Sequence, residues 1–338
     1  MYKKVLLKGL LWFLGIVVGL FLLVVIAFNV SPKPGVWIIR HMFNSEVQIT
    51  APESYRKAQE KITTVQDQSY ASRFKDNSYD IYYPKQSQEA LPVLIWVHGG
   101  GFVGGDKKGT QEFATRLAAD AHIAVLSMNY ETAPESGYPN QVMQLSELVQ
   151  SLKKEKYKFL DLSKIMLGGD SAGSQIALQY AATQTNASYG KDVGVPQDLD
   201  KNVLKGAISY CGPVNLTQMT NVRSSSQFMK FFVTTVAWAE IGTKNWQDSP
   251  KLDEISIVNH LTSDFPATYI TDGNAYSFQD QGIAFEKKLK ELKVPVRGLF
   301  YKDLEKEITH EYQFDYSLKE SQECYRQTLE FVREYKDK

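Results

Sequence analysis

Lys164-Ile165-Met166-Leu167-Gly168-Gly169-Asp170-Ser171-Ala172-Gly173 passes from an apolar run into small residues and then into helix-forming sequence. The apolar part predicts a strand over 164–168, and a helix begins near Ala172. Between them lies Gly-x-Ser-x-Gly, with Ser171 at its centre. A serine on so sharp a strand-to-helix turn is lifted to the top of a sheet, at the positive end of the following helix. Small neighbours let the turn form without side-chain collisions. The motif is common by chance when it stands alone. In this setting it predicts a nucleophile.

Working outward, His98-Gly99-Gly100-Gly101-Phe102 directly follows the apolar run Val93–Val97. Three consecutive glycines leave backbone N–H groups unobstructed, ready to face a developing oxyanion. Together with the residue after the nucleophile, they give Gly100, Gly101 and Ala172 as expected donors. A flexible turn or a phosphate loop is the alternative, but no Gly-Lys-Ser/Thr follows.

Short apolar runs alternate with helical patterns from about residue 79, which predicts βαβ units and a mostly parallel sheet flanked by helices. The expected strands are Tyr79–Tyr83, Val93–Val97, Ile123–Asn129, Lys164–Gly168, Val203–Tyr210, Ala267–Thr271 and Val296–Tyr301. Phe278, Phe285, Leu289 and Leu292 form one helical stripe, and Leu318, Tyr325, Leu329 and Val332 another. Both are read as core packing. Residues 213 to about 262 interrupt the alternation with Phe228, Phe231, Phe232, Val233, Val236 and Trp238, a stretch too long for a plain connection. It is expected to be a helical cap over the site.

The chain has 338 residues, with 43% apolar and 22% charged side chains, an ordinary globular composition. Lys plus Arg (38) equals Asp plus Glu (38), so no net field invites nucleic acid. Cys211 and Cys324 lie far apart and form no metal or redox motif; they read as two separate buried thiols, with one disulfide between them as the alternative.

Gly9–Phe28 is a run of twenty residues without a charge. As a helix it spans the roughly 30 Å apolar core of a bilayer. A cleaved signal would be shorter, at roughly 7–15 apolar residues, and would end in a small-x-small site. Ala27-Phe28-Asn29-Val30-Ser31-Pro32 offers a poor one, so residues 1–30 are expected to be a transmembrane anchor. Lys3, Lys4 and Lys8 precede it, against Lys33 and Arg40 behind it, which places the amino terminus in the cytoplasm and the rest outside. Ser31-Pro32-Lys33-Pro34-Gly35 breaks the helix, and residues 31–70 are expected to be a juxtamembrane linker, its Val36-Trp37-Ile38-Ile39 cluster set on lipid or on the catalytic domain.

Three blocks carry a family resemblance: 98–106 (His-Gly-Gly-Gly-Phe-Val-Gly-Gly-Asp), 129–135 (Asn-Tyr-Glu-Thr-Ala-Pro-Glu) and 168–173 (Gly-Gly-Asp-Ser-Ala-Gly). Over residues 70–335 the chain resembles the hormone-sensitive-lipase-like branch of the α/β-hydrolases, which includes bacterial carboxylesterases and carbohydrate esterases. The resemblance implies an α/β-hydrolase domain over 71–338 and a structural role for Tyr130 and Glu135.

His310 follows the last expected strand and precedes the terminal helix, where a base meets the nucleophile in the order Ser, acid, His. The remaining histidines sit in places that suit other roles: His98 lies in the glycine loop, His41 precedes the domain, His122 borders a strand and His260 follows the cap. The acid departs from the family pattern. Tyr276 stands in the slot after the seventh family strand, and Asn215 in the alternative one. Asp272 and Asp280 remain. Asp280 reads as a helix-start residue, which leaves Asp272 as the expected partner of His310.

Hydrolysis of short acyl esters, on small molecules or a polysaccharide, is the leading expectation, with no metal or organic cofactor implied. A non-catalytic binding protein on the same fold and an acyltransferase using the same site stay open.

Overall fold

The computed structural model describes residues 2–43, 48–155, 157–200, 202–221 and 226–338. Eight strands form one sheet: β1 (Ile62–Ser69), β2 (Ser78–Pro84), β3 (Leu91–Val97), β4 (Ala124–Met128), β5 (Leu160–Asp170), β6 (Leu204–Tyr210), β7 (Thr268–Thr271) and β8 (Val296–Leu299). Their order is β1-β2-β4-β3-β5-β6-β7-β8. β1 and β2 pair antiparallel at one edge, and every pairing from β4 to β8 is parallel. This is the α/β-hydrolase fold expected from the sequence.

The helices are α1 (Tyr2–Val30), α2 (Lys33–Phe43), α3 (Pro52–Gln59), α4 (Gln111–Ala121), α5 (Asn140–Glu155), α6 (Ser171–Thr185), α7 (Ala187–Val193), α8 (Gln227–Ile241), α9 (Lys251–Ile255), α10 (Gln279–Glu291) and α11 (Lys319–Tyr335). β3 is buried along its whole length because helices cover both faces. Val93, Ile95 and Val97 enter the core shared with α5, α6 and α10. Leu94 and Trp96 enter the opposite core, shared with α4 and α11. The two helical stripes predicted from sequence run along α10 and α11, with Phe285, Leu289, Tyr325 and Val332 buried; Phe278, also read as core packing, precedes α10 and is only half-buried.

The segment 31–70 is more than a linker. It supplies α2, α3 and the edge strand β1, so the sheet starts at Ile62 rather than after residue 71. β1 escapes period-2 reading because its register with β2 shifts between Val65 and Gln68, where Asp67 adopts a left-handed φ of 52°. Lys107 ties that bulge to β2: its Nζ is 2.7 Å from Asp67 Oδ1 and 2.5 Å from Asp80 Oδ1. Cys211 and Cys324 are buried free thiols.

Candidate active site

Strand register builds the site. Val97 on β3 pairs with Gly169 on β5, Asp170 with Tyr210 on β6, and Tyr210 with Thr271 on β7. The chain therefore leaves the sheet at one level at His98, Ser171, Cys211 and Asp272, along the carboxyl edge where parallel sheets place their ligands.

Ser171 opens α6 with φ 49°, a conformation a side-chain-bearing residue rarely adopts. The turn closes because the motif glycines lack a Cβ: one on Gly173 would lie 2.1 Å from the Val97 carbonyl oxygen. Asp170, the residue before Ser171, is buried and accepts from Trp96 Nε1 and from Gly99 N, each at 2.7 Å. The nucleophile turn and the glycine loop are thus bonded to each other. Burial raises the Asp170 carboxyl to about 6, against the pull of those donors.

In the glycine loop, Gly100 has φ 115°, and a Cβ there would meet the Gly104 carbonyl oxygen at 2.2 Å. Among the described residues, neither the Gly100 nor the Gly101 N–H reaches a backbone acceptor. Ala172 lies in the first turn of α6, where N–H groups have no partner within the helix. The ring of His98 stacks on Tyr130 with centroids 4.5 Å apart, and Tyr130 Oη donates to the His98 carbonyl (3.1 Å). Both residues brace the loop.

His310 arrives by a different route. The loop after β8 forms a parallel bridge between Thr309 and Ala275, and His310 N donates to the Ala275 carbonyl at 3.1 Å. The imidazole Nε2 then lies 3.0 Å from Ser171 Oγ. Phe278 packs edge-on against the ring. Burial lowers the His310 pKa to about 4.

The buried Nδ1 of His310 has no hydrogen-bond partner. Asp272 Oδ1 lies 3.9 Å from it, beyond hydrogen-bond reach, because the carboxylate already accepts from Gly273 N and Phe278 N at 2.7 Å each. Burial pushes Asp272 up to about 7, against the lowering effect of those two N–H groups. The other three acid-slot residues stand apart. Tyr276 is exposed at the cavity rim, Asp280 is exposed in the first turn of α10, and Asn215 accepts from Thr217 Oγ1 at 2.5 Å.

A cavity of about 310 Å³ opens above Ser171 and His310. The expected cap supplies much of its wall through Phe232, Val233 and Val236 of α8, with Trp246 and Leu252 beyond. Two parts of that wall were not read from the sequence. Glu240 of α8 is buried there, accepts from Gln141 Nε2 (2.8 Å) and is pushed up to about 8 by its burial. Ile39 and Met42 come from α2, whose start was visible in Ser31 and Pro34; Ser31 Oγ accepts from Lys33 N at 3.2 Å. Cys211, His310 and Glu311 bring potential ligand atoms within 4.8 Å of one another. Burial raises the Cys211 thiol well above its usual range, which disfavours the thiolate a metal would need.

A family model described as alpha/beta hydrolase fold matches residues 94–310. A putative alpha/beta hydrolase of Acanthamoeba polyphaga mimivirus is 29% identical over 134 residues, 39% of this chain and 37% of that protein. Probable carboxylesterase 6 of Arabidopsis thaliana is 37% identical over 105 residues, 29% of this chain and 31% of its own length. The chain thus spans about a third of the length of these curated relatives. Among solved structures, esterase B from Lactobacillus rhamnosis superposes with TM-score 0.70 at 18% identity, covering 88% of this chain and 94% of that one. An esterase of the bacterial hormone-sensitive lipase family superposes with TM-score 0.62 at 18% identity, covering 90% and 97%. At these identities the structures share the fold.

Proposed function

The chain belongs to the alpha/beta hydrolase fold family, and from that premise we propose that it is a membrane-anchored serine esterase. The observation that carries the reading is the 3.0 Å approach of His310 Nε2 to Ser171 Oγ on a strained turn. In this reading Ser171 Oγ attacks an ester carbonyl while its proton passes to His310 Nε2. The oxyanion faces the N–H groups of Gly100, Gly101 and Ala172. As the intermediate collapses, the carbonyl–oxygen bond to the alcohol breaks and His310 returns the proton to the leaving oxygen. Water, deprotonated by His310, then attacks the acyl-serine; the acyl–Ser171 bond breaks, His310 returns the proton to Ser171 Oγ, and the acid is released.

Asp272 is the proposed partner of His310 Nδ1. A shift of about 1 Å from the present 3.9 Å would bring it into hydrogen-bond range, and such bonds often tighten only with substrate bound. The acyl side fits the apolar cavity and the alcohol side faces its open rim, which suits acetyl and other acyl esters. Val5–Val30 is long and apolar enough to cross a bilayer, at about 39 Å as a helix. It serves as the anchor in this reading, with the catalytic domain outside.

A fluorophosphonate probe labels only an activated serine in an open pocket. The wild-type protein should take the label and hydrolyse p-nitrophenyl acetate, and Ser171→Ala should lose both with an unchanged circular dichroism spectrum. Substantial turnover by the folded variant would overturn the assignment.

A further inference from the structure

Beyond α1, six large apolar side chains are exposed among the described residues: Trp37, Ile38, Met42, Phe228, Tyr276 and Leu304. Met42, Phe228 and Tyr276 also line the cavity above Ser171, so they mark its mouth. Trp37 and Ile38 share the outward face of α2 with Met42. Three of the six therefore rim one opening, and Trp37 and Ile38 stand beside it on α2. Single exposed apolar residues are ordinary on any surface, but a cluster rimming a cavity marks a place of contact.

That opening is fixed close to the end of α1. Only Ser31 and Pro32 separate α1 from α2, and the eleven residues of α2 extend about 16 Å. α2 does not swing on this joint. Arg40 Nε donates to the Val103 carbonyl (2.6 Å), and Nη2 bonds Thr132 Oγ1, the Ala133 carbonyl and Glu135 Oε2 at 3.0, 3.0 and 2.6 Å. Val36 and Ile39 are buried against Val103, Ala133 and Ala239. Gly35 lies so close to α8 that a Cβ would fall 2.7 Å from Thr235 Cγ2. From the cap side, Lys244 Nζ donates to the carbonyl and Oδ1 of Asn29, both at 3.0 Å. Anchor end, cap and glycine loop form one bonded unit.

We infer that the cavity mouth rests on the lipid surface and that the substrate is an acyl ester dissolved in the bilayer, entering from the lipid rather than from water. This rests on the reading of α1 as anchor and Ser171 as nucleophile. The outward face of α2 continues the apolar surface of the anchor at the depth where an interfacial tryptophan sits. A lipid-borne acyl chain passes from the bilayer over Met42 and Phe228 into the apolar cavity without crossing water. Its carbonyl stops at Ser171, and the alcohol part stays toward the rim at Tyr276.

The test uses the full chain in phosphatidylcholine vesicles, with water-soluble p-nitrophenyl acetate and bilayer-dissolved p-nitrophenyl palmitate compared side by side. The double variant Trp37→Ser/Ile38→Ser changes only exposed side chains that do not line the cavity. It should keep acetate turnover within twofold and lose about tenfold on palmitate. Lipids brominated near the headgroup should quench wild-type fluorescence more than that of Trp37→Phe. Equal effects on both esters, no effect on either, or equal quenching would overturn the inference. Absence of wild-type acetate turnover would sink the esterase reading instead, and failure to stay with the vesicles would sink the anchor.

Discussion

His310 carries an unpartnered buried nitrogen, and that atom frames the chemistry of the site. A buried N–H without an acceptor costs about 1–3 kcal/mol, and Asp272 is the carboxylate at 3.9 Å. Asp272→Asn should lower kcat by about 10²–10⁴, in line with other triads. Asp280→Asn, at an exposed helix start, should move stability more than rate. The pH profile gives an independent reading. At the present 3.9 Å, burial alone sets the His310 pKa, near 4; an Asp272 carboxylate that closes to hydrogen-bond range with substrate bound favours imidazolium and raises it. In Asp272→Asn the acid limb of kcat should therefore move to lower pH, and coincident limbs would show that the two groups do not interact. At this scale the sequence was legible where geometry is local. Ser171 and its glycines announce a turn within five residues. His310 is set 3.9 Å from Asp272 by a loop that the Ala275–Thr309 bridge holds, which no sequence period encodes.

Among the elements, the six inner strands, β2 to β7, were readable because buried faces favour apolar runs. β1 was not, since a bulge breaks its alternation and one side of it is the sheet edge. α2 escapes for a different reason: eleven residues between an anchor and a domain look like a connection, although Ser31 and Pro34 mark a helix start. Its hold on the glycine loop through Arg40 predicts a specific defect. Arg40→Met keeps much of the apolar stem but leaves the Val103 and Ala133 carbonyls without their donor. The half-exposed site moderates the cost, to roughly 1–3 kcal/mol. The melting temperature in detergent should drop by several degrees, and kcat should fall far less than in Ser171→Ala. An unchanged melting curve would show that α2 is held by apolar packing alone.

For the molecule as a whole, the sequence pattern predicts a long apolar helix followed by a hydrolase domain, and the structure adds how tightly the two are joined. Two residues and a set of hydrogen bonds leave no slack between them. A catalytic domain on a loose tether samples a volume of solvent, and its rate follows the bulk concentration of ester. With α1 in a bilayer, as proposed, this one is held at a constant altitude over a plane. Its encounters are then counted per unit area, and the quantity that sets its rate is the mole fraction of ester in the leaflet. Adding ester-free lipid at fixed bulk amounts of enzyme and bilayer-dissolved ester should slow turnover in proportion to the dilution of the surface, while hydrolysis of p-nitrophenyl acetate from water stays the same. A rate indifferent to added lipid would mean the domain draws on the solution. On the proposed reading, the short joint at Ser31-Pro32 turns a three-dimensional search into a two-dimensional one.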